Sequence, residues 1–358
     1  MSEHWRRISR SPHAGQENLT EAADVAVSAE ARSCGPRLSS ATSTIAATNE
    51  ANTKMADESD LRCAARVKRS MSKESKVLYV HVGAHRGGDV GCGHVGVCMW
   101  VRRTVGGVIS MADMSRYREK VTQPLSTKLT LSDSVMDLIS PPPPHSGAVV
   151  SMILNVLEGY GMTSADIISV NTSTLLHHRV VEAFKFAYAK RTHLGDPAFA
   201  DVERHVHDMT SAAYVDDVRS QIRDDGVLPR ADYHAAGVTS DNHGTSHISV
   251  LAPNGDAVAV TSTINYYWGA QVRSESLDIV YNNEMGDFAT PDNSGATTPA
   301  PSANYIEAGK RPLSSMSPCI LVGKDGDVEM VIGGAGGKRI PTAVAYVLLE
   351  ESLACAMT

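Results

Sequence analysis

Five short segments hold the side chains best suited to chemistry, and they follow one another in the second half of the chain. The first is a polar loop, Ser240-Asp241-Asn242-His243-Gly244, that meets Thr245 where an alternating apolar stretch, Ser246-His-Ile-Ser-Val250, begins. This sets a threonine hydroxyl at the start of a strand, with a glycine before it that offers little steric hindrance to a strained peptide bond. The others are Thr261-Ser262-Thr263-Ile264-Asn265, Asn282-Asn283-Glu284-Met285-Gly286-Asp287-Phe288, Pro312-Leu313-Ser314-Ser315-Met316 and Gly333-Gly-Ala-Gly-Gly337. Taken singly, each segment reads as ordinary structure. A threonine opening a strand follows from β-propensity, and Glu284 with Asp287 would make an exposed acidic turn.

Taken together and in this order, the five segments resemble the γ-glutamyltranspeptidase (glutathione hydrolase) family. Upstream, residues 107–125 and Val180-Val-Glu-Ala-Phe-Lys-Phe-Ala-Tyr-Ala-Lys-Arg-Thr192 with Leu194-Gly-Asp-Pro197 are similar to the same family's large subunit. The resemblance covers about residues 106–347 and implies an N-terminal-nucleophile hydrolase. Its fold would be α+β, a four-layer αββα sandwich, incomplete here at both ends. The precursor, a zymogen, would cut itself between Gly244 and Thr245 into large and small chains. Thr245 would then be the nucleophile, and its new α-amine, of reference pKa about 8, its base.

The resemblance also assigns the remaining roles. Thr263 would orient the nucleophile, and the backbone N–H groups of Gly336 and Gly337 would hold the oxyanion. Asn265, Glu284 and Asp287 would bind the substrate ammonium, while Ser314 and Ser315 would donate to its α-carboxylate. The implied substrates are glutathione and other γ-glutamyl compounds, with water, an amino acid or a dipeptide as acceptor. No cofactor or metal is implied. The family's carboxylate-binding Arg has no counterpart in a matching motif: Arg86, Arg102 and Arg103 lie outside any such segment, and Arg273 is read as surface or structural. A catalytically silent, truncated homologue that binds γ-glutamyl ligands or a protein partner is the alternative, motivated by the missing Arg and the short ends.

Composition narrows the other classes. With 33 Lys+Arg against 40 Asp+Glu, the net charge of −7 leaves no basic excess to meet phosphates, so no nucleic-acid partner is expected. His81, His85, Cys92, His94 and Cys98 could ligate zinc by type, but their spacing fits no familiar finger or ribbon. Six scattered cysteines define no disulfide framework. No signal peptide or transmembrane segment is visible in the chain, and an extracellular position at the plasma membrane, or secretion, is implied by resemblance alone.

Several elements must position these residues. Residues 1–76 read as a disordered or low-complexity tail, and 77–105 as an unassigned glycine-rich segment with a strand at Val77-Leu-Tyr-Val80. Residues 106–244 read as mainly helical and large-subunit-like. Ser110 and Asp113 form a capping box, Pro141–Pro144 an extended approach, and residues 149–157 a helix apolar all round. A helix over about 174–192 has Leu176, Val180, Phe184 and Tyr188 as its buried stripe, with His177, His178, Glu182, Lys185 and Arg191 largely off it. A charged helix is expected over about 208–224. Residues 245–358 read as a small-subunit-like strand core of hairpins turning at Asn254-Gly255 and Asp325-Gly326, with a packed helix from Pro341.

Overall fold

The turns fix the strand core. In the computed structural model, which describes residues 26–31, 77–82, 108–131, 134–235, 245–273, 279–289, 291 and 302–355, both expected hairpins form. Strand β5 (Thr245–Leu251) pairs antiparallel with β6 (Ala257–Thr263), and β7 (Cys319–Val322) with β8 (Val328–Ala335). Gly255 and Gly326 adopt φ of 83° and 84°, left-handed backbone that a side chain disfavours and glycine does not.

The strands assemble into two sheets. One is five-stranded, in the order β1 (Ala26–Ala31), β8, β7, β4 (Ser134–Ser140), β3 (Leu125–Leu131), and all its pairs are antiparallel. The other is three-stranded, with β6 between β5 and a parallel neighbour, β2 (Val77–Val82). The sheets stack face to face, with β5 and β6 over β8. Ala257, Ala259, Ile320, Val328 and Val331 fill the space between them.

The helices cover the opposite face of the larger sheet. After the short helix α1 (Met111–Arg116), they are α2 (Gly147–Glu158), α3 (Val170–Arg191), α4 (Glu203–Thr210), α5 (Ala212–Gln221) and α6 (Ile340–Cys355). Helix α2 is apolar on every side because α3, α4, α5 and α6 surround it over β3 and β4; Val149, Val150, Met152, Ile153 and Val156 are wholly buried. Cys319, Leu321, Met330 and Ile332 point from the sheet into this core, while Ile320 and Val331 point to the other sheet, as strand alternation requires. The described residues thus supply a helical layer and two stacked sheets of the expected sandwich.

The structure alters some expectations. Residues 26–31, inside the expected tail, run along β8 as an edge strand. Their composition is weakly apolar, and the pairing comes from backbone hydrogen bonds that carry no side-chain signature. Within the part read as mainly helical, Leu125–Leu131 (β3) and Ser134–Ser140 (β4) pair antiparallel and join β7 in one sheet, so the segments before and after Thr245 share a core. The charged helix breaks at Ser211 into α4 and α5. On α3, Glu182 and Arg191 are not off the buried stripe: they are 0% and 4% exposed. The remainder of 1–76 and of 77–105, Gly244 at the expected cleavage point, and the Cys and His side chains of the zinc reading lie outside the described residues. Among the described residues, no helix is long and apolar enough to cross a membrane, and no cluster of His, Cys, Asp and Glu could hold a metal ion.

Candidate active site

The hairpin β5–β6 pairs its first and last residues. Thr245 lies directly opposite Thr263, and their hydroxyls are 3.4 Å apart. That is long for a hydroxyl–hydroxyl hydrogen bond. Thr263 Oγ1 also accepts the Asn265 backbone N–H at 2.8 Å. This bond holds Asn265 in a left-handed conformation (φ 73°) that Asn tolerates better than most residues, and its side chain is buried.

Asn265 leads the chain into the acidic segment. Its Nδ2 donates to the Asn283 carbonyl at 3.2 Å, and the Tyr266 N–H donates to Asn283 Oδ1 at 3.0 Å. A short 3-10 turn, Glu284–Asp287, follows. Burial, and then the neighbouring Asp287 carboxylate, raise the Glu284 pKa well above the usual carboxylate range. Glu284 Oε1 is buried and has no hydrogen-bond partner among the described residues.

A second amide ties this turn to the serine segment. Asn304 Nδ2 donates to the Asp287 carbonyl at 2.7 Å, and the Leu313 N–H donates to Asn304 Oδ1 at 2.8 Å. Just before the serines, Arg311 is clamped by Asp196: its backbone N–H, Nε and Nη2 all donate to that buried carboxylate at 3.0 Å. The Arg311 bonds hold the Asp196 pKa down to about 2 despite burial, which acts in the opposite sense. The Ser314 N–H donates to the Pro144 carbonyl at 2.8 Å, and the Met316 N–H to Ser314 Oγ at 3.2 Å.

The glycine turn closes the ring of segments. Strand β8 is followed by Gly336 (φ 132°) and Gly337 (φ 59°), the latter opening a 3-10 turn, Gly337–Arg339, before α6. The Tyr188 hydroxyl, on α3, donates to the Lys338 carbonyl in that turn. Further back on β8, a Cβ on Gly333 would lie 2.2 Å from the His247 ring, so glycine there admits the imidazole between the sheets. His247 bonds to Thr261 Oγ1 at 2.7 Å and Ser249 Oγ at 3.1 Å, and burial drives its pKa down to about 3, so it is neutral.

These segments converge on one pocket lined by Thr245, Thr263, Asn265, Asp287, Ser314, Ser315, Met316, Gly337 and Ile340. Seven of the residues singled out from sequence therefore share a single cavity. Glu284 does not line the pocket but interacts with Asp287, which does, and Gly336 precedes the lining residue Gly337. Sequence reasoning missed Arg191, whose Nε donates to Ser146 Oγ at 3.0 Å and whose Nη2 donates to Ser315 Oγ at 2.9 Å. A cation one turn after a buried tyrosine on an otherwise apolar stripe was the available signal.

Known proteins similar to this chain identify its family. Residues 99–354 match the family described as Gamma-glutamyltranspeptidase. Glutathione hydrolase 2 of Arabidopsis thaliana is 41% identical over 251 residues, covering 69% of this chain and 42% of that protein. Scoloptoxin SSD14 of Scolopendra dehaani is 40% identical over the same length, with the same coverages. Glutathione hydrolase 5 proenzyme of Rattus norvegicus is 36% identical over 247 residues, 69% of this chain and 42% of the relative. The chain thus spans less than half the length of the curated relatives it matches. A solved structure described as LmbA2991HD aligns with TM-score 0.50 and 19% identity, covering 69% of this chain and 41% of that one, which bears on the fold alone.

Proposed function

Because the chain belongs to the gamma-glutamyltranspeptidase family, we propose that it cleaves itself before Thr245 and then transfers or hydrolyses the γ-glutamyl group of glutathione and related compounds. The observation that carries this reading is the convergence of Thr245, Thr263, Asn265, Asp287, Ser314, Ser315 and Gly337 on one pocket.

In the first reaction, Thr245 Oγ adds to the Gly244 carbonyl carbon, and the C–N bond breaks as the acyl group moves from N to O. Water then hydrolyses the ester, leaving a carboxylate on Gly244 and a free amine on Thr245. That amine, with a reference pKa of about 8, is a suitable base for its own hydroxyl near neutral pH.

In the second reaction, Thr245 Oγ adds to the substrate γ-carbonyl while the amine takes the hydroxyl proton. Thr263 holds the nucleophile in line. The Gly336 and Gly337 N–H groups stabilise the oxyanion, each such donor being worth about 3 kcal/mol. The proton passes to the leaving amine, and an ester remains on Thr245. Water releases glutamate, or the amine of an amino acid or dipeptide takes the acyl group. Throughout, Asn265, Glu284 and Asp287 hold the substrate ammonium, and Ser314 and Ser315 donate to the α-carboxylate.

The relatives named as glutathione hydrolases and proenzymes support both steps. The test is denaturing electrophoresis of purified protein beside a γ-glutamyl anilide assay. Two fragments, 1–244 and 245–358, and anilide turnover are expected, both lost in Thr245→Ala. An uncut chain after prolonged incubation, with no turnover, would sink the proposal. An extracellular position at the plasma membrane, or secretion, belongs to the same reading and is checked by surface labelling of expressing cells.

A further inference from the structure

Arg191 is a buried guanidinium set behind the pocket rather than in it. It is 4% exposed, and among the described residues its side chain meets two hydroxyls, Ser146 Oγ and Ser315 Oγ, and no carboxylate within ion-pair distance. The Asp287 carboxylate acts on it through space without bonding to it, and a buried cation with no directly bonded anion is costly, so its retention at the back of a ligand pocket calls for an account.

The hydrogen-bond inventory supplies one. Arginine has donors and no acceptor, so both serine oxygens must accept from it. Each hydroxyl proton is thereby turned away from the guanidinium. The Ser146 proton goes to the Ser314 carbonyl at 2.6 Å, which ties down the backbone of the serine segment. Ser315 Oγ makes no donor bond among the described residues, and Ser315 lines the pocket. Its proton is therefore committed to whatever occupies that space. A hydroxyl that accepts from a cation is also a stronger donor, because hydrogen bonds in a chain polarise one another.

We infer that Arg191 is a positioning residue that makes Ser315 a charge-assisted donor to a carboxylate, and so selects ligands bearing an α-carboxylate. This rests on the γ-glutamyl reading of the pocket. Tyr188 and Arg191, three residues apart on α3, thereby reach the glycine turn and the serine segment from one helix face.

The test compares equilibrium binding of L-glutamate with that of 4-aminobutyrate, which is the same skeleton without the α-carboxylate, to the full chain. Wild type should prefer L-glutamate by about tenfold or more, the scale of one charge-assisted hydrogen bond. Arg191→Met should abolish that preference, and Arg191→Lys, which keeps the charge but not the fork, should reduce it by about threefold. In a Ser315→Ala background, Arg191→Lys should have no further effect. If the methionine variant does not fold, the lysine and double variants decide the matter. An unchanged preference in a folded Arg191 variant, an undiminished lysine effect without Ser315, or a wild type that does not discriminate would each overturn the inference. Anilide turnover is measured in parallel: preference without turnover fails the hydrolase reading and leaves this one standing, while turnover without preference does the reverse.

Discussion

Thr245 and Thr263 are the first and last residues of one hairpin and lie in register across it, hydroxyls 3.4 Å apart. The geometry of Thr245, the proposed nucleophile, is therefore set by a strand pair and not by a loop. Thr263→Ala should leave the hairpin paired and lower anilide turnover by about 10- to 100-fold, the range for losing one orienting hydrogen bond in a polar site. Initial rates together with melting temperatures separate this from unfolding.

Ligand binding should depend on pH through Glu284. Its raised pKa means that it keeps a proton above the ordinary carboxylate range in the free protein. The native state then binds more protons than the unfolded one, so this group's contribution to stability fades as pH rises through its native pKa. An ammonium ligand favours the ionised form, and affinity for L-glutamate should grow over the same rise. Calorimetric titration across the neutral range should show this slope in wild type and lose it, with most of the affinity, in Glu284→Gln.

The seat of His247 on Gly333 predicts a steric coupling. Gly333→Ala places a methyl group 2.2 Å from the ring and should destabilise the protein by about 1–3 kcal/mol. His247→Ala opens that space at the cost of its bonds to Thr261 and Ser249. Denaturant unfolding of the single and double variants should give a double-variant loss well below the sum. Since the native pKa of His247 is depressed to about 3, its contribution is complete above the unfolded value near 6.5 and should be lost as pH falls below it.

Asp196 should be the strongest acid-sensitive staple near the site. It is wholly buried, and it orients Arg311 three residues before Ser314. Removing one partner of such a pair costs about 3–5 kcal/mol when both are buried; here Arg311 is 31% exposed, so the lower end applies to Asp196→Ala. The carboxyl pKa is lowered to about 2, so the staple's contribution is present above pH 4 and fades towards pH 2. Urea melts at pH 7 and pH 3 should differ less in the variant than in wild type.

Much of the site was legible because its signals are local. The Asn254-Gly255 and Asp325-Gly326 turns specify their hairpins through glycine backbone that other residues resist. The Ser110–Asp113 capping box forms as its spacing predicts. The all-apolar run of α2 can only be a buried helix. The order of five motifs identified the family, and one pocket gathers seven of the residues they contain.

What only the tertiary structure decided depends on partners distant in sequence. Leu125–Leu131 and Ser134–Ser140 become part of the β7–β8 sheet by backbone pairing, which leaves little trace in either segment alone. Arg191 reads as a solvated end of an amphipathic helix, and its meaning changes because Ser315, 124 residues later, folds against it. Charged side chains are assigned to water by default, since burial without a partner is costly. The sequence alone determined the pattern of turns, strands and motifs, because those are set by residues within a few positions of one another. Which cation is buried and which serine hydroxyl it steers were decided by packing α3 against the serine segment, a contact that no local preference encodes.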